Sequence, residues 1–192
     1  MRSSLKRKLL PLTCLGVLGI GSVATLGATP GPDPERNSRI SKKGIHLLTQ
    51  IQAETNRLIP YAEQIDIYTR TARYNRVSHA ASLEGVRQHI NAVGERIREL
   101  QRIRGLLPTW QQLALDEVTA NAAEVATSTQ AAILHLNEIR SHTFTSPYRD
   151  HLSTIVDRSE EMKLTVDTFL QYHAAKLKLQ SLESELEISG TG

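Results

Sequence analysis

The stretch TWQQLALDEVTANAAEVATSTQAAILHLNEIRS, residues 109–141, contains neither proline nor glycine. Leu115, Val118, Ala122, Val125, Thr129, Ala132, Leu136 and Ile139 recur in it at alternating steps of three and four residues. Such steps track the turn of an α-helix and leave one apolar stripe along it, the pattern of helices that pack at a shallow angle. Thr109-Trp110-Gln111-Gln112 opens the stretch with the Thr-x-x-Gln form of a capping box.

The same spacing appears on both sides of it. Upstream, Leu48, Ile51, Thr55, Leu58, Ala62, Ile65, Thr69 and Ala72 share one register, with Pro60 inside it. Because the register runs unbroken from Leu58 to Ala62, Pro60 predicts a kink and not a boundary. A second stripe of Val86, Ile90, Val93, Ile97, Leu100 and Leu107 is interrupted at Arg104, with Ser82 as the expected N-cap and Gly105 and Pro108 ending it. Downstream, Ser146-Pro147 reads as a cap followed by proline at the first helical position. Its stripe continues through Leu152, Ile155, Met162, Val166, Phe169 or Leu170, Leu177, Leu182 and Leu186.

The expected helices are 40–75, 82–105, 110–141 and 147–187, and no strand-like alternation occurs. Short loops between long helices force antiparallel neighbours, so the fold class is all-α, an up-down-up-down four-helix bundle over 39–188 with a tail at 189–192. The rival is a pair of open helical hairpins that complete a core only on dimerising.

Residues 1–28 read as an address. Arg2, Lys6, Arg7 and Lys8 precede an uncharged run from Leu9 to Ala28, the layout of a secretory signal peptide with cleavage after Ala24 or Ala28. An uncleaved N-terminal anchor is the competing reading, weakened by Pro11, Gly16, Gly19 and Gly21. Cys14 lacks the small preceding residue of a lipidated cysteine, and a cleaved chain would hold no thiol. Pro30-Gly31-Pro32-Asp33-Pro34 predicts an extended spacer over 29–38. Together these predict an exported protein, periplasmic or secreted, or tethered by its N-terminal segment.

The net charge of +3 comes from that address; beyond residue 28, 19 basic residues face 20 acidic ones. Nucleic acid is therefore not an expected partner. Charge is instead unequal between helices. Segment 39–74 has six bases and three acids and 82–104 has five and three, whereas 109–140 has one and four and 146–188 has five and eight. A basic first hairpin against an acidic second predicts flanking salt bridges, or an acidic partner or membrane surface met by the first. Arg70, Arg73 and Arg76, interleaved with Tyr68 and Tyr74, are candidates for an anionic envelope surface.

Motifs for chemistry are sparse. There is no Cys-x-x-Cys-His, His-Glu-x-x-His, phosphate-binding glycine loop, Gly-x-Ser-x-Gly elbow or Glu-x-x-His pair. Met162 and His173 are available to a haem, with no second axial ligand evident. Antiparallel topology gathers His79, His89, His142 and His151 near one pole, with His135 and Glu138 on the helical side leading to His142. His135, Glu138, His142 and His151 form the candidate set for a transition metal, or for a pH-sensitive helix-end contact; the plainer expectation is solvated histidines. The expectation is a non-enzymatic protein-interaction or envelope module, acting through a protein partner or self-association and without a cofactor. The alternative is a metal- or small-ligand-binding bundle.

Overall fold

The computed structural model describes residues 33–70, 75–138 and 145–189. Four helices, α1 (Pro34–Arg70), α2 (Arg76–Ile103), α3 (Thr109–Glu138) and α4 (Ser146–Ser189), follow in order, with a 3-10 turn at Arg104–Leu106 after α2. Sequential neighbours pack together and α1 closes on α4, giving an antiparallel four-helix bundle whose core is complete within one chain. Signal and anchor readings for 1–28, and spacer residues 29–32, lie outside the described residues.

The stripes are the core. Ile51, Leu58 and Ile65 of α1, Val86, Val93 and Leu100 of α2, Leu115, Val118 and Val125 of α3, and Ile155, Met162 and Val166 of α4 are buried. Threonines that occupy stripe positions return their hydroxyls to their own helix: Thr55 donates to the Ile51 carbonyl at 2.9 Å and Thr129 to that of Val125 at 2.7 Å. Their polarity is thereby absorbed locally, and the methyl groups can serve the core.

Two of the helix crossings are set by glycines. A Cβ at Gly85 would lie 2.5 Å from Cδ1 of Tyr61, and one at Gly44 would lie 2.1 Å from Oε1 of Gln111. Buried Gln111 in turn donates its amide to the Ser41 carbonyl at 3.0 Å, tying α3 to α1.

Several boundaries differ from the sequence expectation. Helix α1 starts at Pro34, so residues 34–38 are helix and not spacer. Asp33 explains this, since its Oδ1 accepts from the Glu35 amide at 3.0 Å and Pro34 fills the first position, where no amide is needed. Helix α2 starts at Arg76, capped by Asn75, whose Oδ1 accepts from the Val77 amide at 2.9 Å. Ser82 is no cap; it is buried in α2 and donates to Gln64 Oε1 at 3.1 Å. At α3, Gln112 donates to the Leu107 carbonyl at 2.8 Å, outside the helix, which departs from the box arrangement. Helix α1 runs through Pro60 without a break. Pro60 is exposed, so the Asn56 carbonyl that loses its donor there can meet water.

The largest correction concerns α4. Leu177, Leu182 and Leu186, expected in the core, are exposed. The core reaches Val166, with Phe169 and Leu170 partly buried, and every residue from Ala174 to Leu186 is exposed. The first turn of α3 lies near the level of His173 and α1 continues past Ser41 only as far as Pro34, so α4 outruns both. Leu182 and Leu186 lie, besides, on the side of α4 turned away from Val166.

Candidate functional site

At the pole where α1 and α3 end, each helix contributes one aromatic ring. His79 of α2 is fully buried, and its Nδ1 shares a 2.9 Å hydrogen bond with the hydroxyl of Tyr148 of α4, itself fully buried. The ring of His135, from α3, stacks on Tyr148 at 5.2 Å with 20° between planes. The ring of Tyr68, from α1, tilts against His79 at 5.8 Å. A polar chain surrounds the rings: Ser82 donates to Gln64, and Gln64 donates to the Tyr68 hydroxyl at 2.7 Å. His135 Nε2 and Thr145 Oγ1 are 2.9 Å apart, joining the end of α3 to the residue before α4.

Burial lowers the pKa of His79 below its ordinary 6.5, because the enclosed imidazolium would lose hydration. A tyrosine hydroxyl against an imidazole is a pair able to move a proton, but here both members are sealed from solvent. The arrangement acts as a hydrogen-bonded lock between helix ends, with one group that answers to acid.

The histidines expected at this pole therefore divide. His79 and His135 both meet Tyr148, the first at its hydroxyl and the second by stacking on its ring. His89 lies farther along α2, where its Nδ1 donates to Glu54 Oε2 at 2.8 Å and its ring stacks near Tyr61 at 5.8 Å. His151 is half-buried, Glu138 is exposed at the end of α3, and His142 lies outside the described residues. Among the described residues no group of three or more His, Cys, Asp or Glu is placed to hold a metal ion. Met162 is buried, and His173 stacks on Trp110 at 5.4 Å. Of the candidate arginines, Arg76 is the exposed first residue of α2, while the side chain of Arg70 and all of Arg73 lie outside the described residues.

Sequence reasoning passed over Tyr148. Its signal was its spacing: Tyr148, Leu152, Ile155, Ser159 and Met162 follow steps of four and three, so the tyrosine begins the α4 stripe. His79 stands in the same relation to Leu83, Val86 and Ile90.

The other pole is built differently. Trp110, at the start of α3, stacks on His173 and meets the Tyr172 ring edge-on at 6.0 Å. Beyond this aromatic cap α4 continues to Ser189. There Leu179, Leu182 and Leu186 are 56%, 47% and 73% exposed. Lys176 and Lys178 flank the near end of that segment, and Glu183 and Glu185 the far end, all exposed.

The uneven charge of the hairpins is used sparingly between them. Arg104 reaches Asp116 through two hydrogen bonds of 3.1 and 2.6 Å and so links α2 to α3. Among the described residues, pairs such as Arg158 with Glu124 at 2.7 Å stay within a hairpin, and pairs such as Lys163 with Asp167 stay within one helix. No helix of the described residues is long and apolar enough to cross a membrane. Comparison with protein families, with curated proteins and with solved structures gives no match to this chain.

Proposed function

We propose that the protein is a non-enzymatic, exported helical-bundle module that works in the cell envelope through protein contacts made by the end of α4. The observation that carries this reading is the exposed leucine stripe beyond the bundle. Three large aliphatic side chains on one face of a projecting helix are costly to leave in water, and such patches mark contact surfaces. The basic address over Arg2–Lys8 and the uncharged run after it support export. The sealed tyrosine–histidine lock supports a structural use of the most chemically capable side chains.

The test is cross-linking in intact cells of the natural source, comparing the full chain with Leu179→Glu/Leu182→Glu, followed by fractionation and mass measurement. The full chain is expected in the envelope fraction, shortened by 24 or 28 residues, in adducts that the variant loses. Identical adducts for both chains, or a full-length chain in the cytosol, would overturn the reading.

A further inference from the structure

The projecting part of α4 carries its own heptad stripe. Tyr172, Ala175, Leu179, Leu182 and Leu186 follow steps of three and four. This stripe lies roughly opposite the inner one of Met162, Val166 and His173, because Leu182 is sixteen residues beyond Val166 and each residue turns the helix by about 100°. It therefore faces away from the core, and its leucines are exposed for that reason.

We infer that this stripe pairs with the same stripe of a second copy of the chain, as an antiparallel two-helix coiled coil. The inference rests on the interaction-module reading and names its partner. The flanking charges select the copy and its direction. Positions beside the stripe on both sides carry Lys176 and Lys178 on the bundle side and Glu183 and Glu185 on the tip side. When two such helices run in opposite directions with Leu179 facing the partner's Leu182, the lysines of each lie beside the glutamates of the other. All the flanking positions are then occupied by opposite charges. The layers close as well, since Ala175 comes to face the partner's Leu186, a small residue against a large one. A two-fold axis between residues 180 and 181 makes the surface self-complementary, as an isologous dimer requires. A parallel pair would use a smaller share of these charges.

The helix needs no ordering to bind, because the bundle already nucleates it as one continuous element. The contact is short, well below the area of a standard stable interface, so affinity in the micromolar range is expected.

The test is sedimentation of the chain purified from its envelope fraction, at on the order of 10 to 100 µM. The wild type is expected as a dimer, and Leu179→Glu/Leu182→Glu as a monomer whose melting matches the wild type. Lys176→Glu/Lys178→Glu and Glu183→Lys/Glu185→Lys should each be monomeric alone and associate when mixed. In a Cys14→Ser background, mixing Ala175→Cys chains with Leu186→Cys chains should form a disulfide between the two kinds under mild oxidation. A disulfide between two Ala175→Cys chains in place of it would overturn the antiparallel arrangement. A wild type that stays monomeric at the upper concentration, or a dimer that survives the leucine substitutions, would overturn self-pairing. Should the wild type be monomeric while cells still show leucine-dependent adducts to other proteins, the interaction module stands and its partner is not a second copy.

Discussion

The two poles of this bundle are built on opposite terms. One is closed: Tyr68, His79, His135 and Tyr148, one from each helix, meet around hydrogen bonds that take up buried polar atoms. The other is open: Trp110 and His173 cap the core, and α4 then runs on with its leucines in water. The contrast shows how one repeating apolar rule yields a lock where four helices end together and an exposed strip where one outlasts the rest. The rule is local, whereas burial depends on what stands opposite.

Leucines from the two regions give the hardest test of this contrast. Leu136→Ala, near the closed pole, is expected to destabilise by about 2–5 kcal/mol, since Leu136 is buried and the packing cannot fully collapse around the loss. Leu182→Ala, at the open pole, should change the stability of the bundle by less than about 0.5 kcal/mol. Urea unfolding of both measures the difference; equal costs would mean that the tip of α4 is part of the core.

Within the lock, Tyr148→Phe keeps the ring and removes the hydroxyl that meets His79. A cost of about 1–3 kcal/mol is expected, the usual consequence of depriving a buried polar atom of one partner. A thermal melt unchanged by this substitution would show that ring packing alone closes the pole.

Glycines of α2 sharpen the comparison at the helix crossings. Gly85→Ala must displace the Tyr61 ring and should destabilise by about 1–3 kcal/mol. Gly94, whose added Cβ would meet nothing nearer than Arg98 at 3.8 Å, should instead gain roughly 0.5–1 kcal/mol as Gly94→Ala, because alanine favours the helix. The paired melts are informative through their opposite signs.

Acid should act on the closed pole. The native bundle holds the His79 pKa below 6.5, while the unfolded chain binds that proton near the ordinary value. Its contribution is therefore whole above pH 6.5 and declines as pH falls toward the lowered native value, at no more than about 1.4 kcal/mol per pH unit. Urea midpoints should fall between pH 7 and 5.5, and His79→Leu should flatten that dependence. An equally steep dependence in the variant would assign the effect to other groups.

Much of the architecture is legible in the sequence because steps of three and four report which side of a helix is apolar, and short loops leave few topologies. Helix starts are less legible: a stripe counted from its aliphatic residues points to Ser82, whereas the cap is Asn75, one turn before the buried His79 that begins the stripe. His79 and Tyr148 obey the same steps, but an imidazole and a phenol read as polar at helix ends, so the lock was half visible as scattered histidines. Leu177, Leu182 and Leu186 were misplaced for a different reason. Leu177 continues the inner face of α4 and is exposed because nothing local to α4 records where α1 and α3 stop. The step of five from Leu177 to Leu182, by contrast, moves Leu182 and Leu186 to the side of the helix turned away from Val166.

Helix α4 is also a mechanical part. Its 44 residues, from Ser146 to Ser189, span roughly 66 Å at 1.5 Å per residue. After Pro147 they include no proline or glycine at which to bend. Tyr148 is anchored at one end of this rod and the leucine stripe stands free at the other. With no point at which to bend, a pull on the tip acts on α4 as a whole and meets the packed contacts in order, from the Trp110–His173 stack inward to the tyrosine–histidine lock.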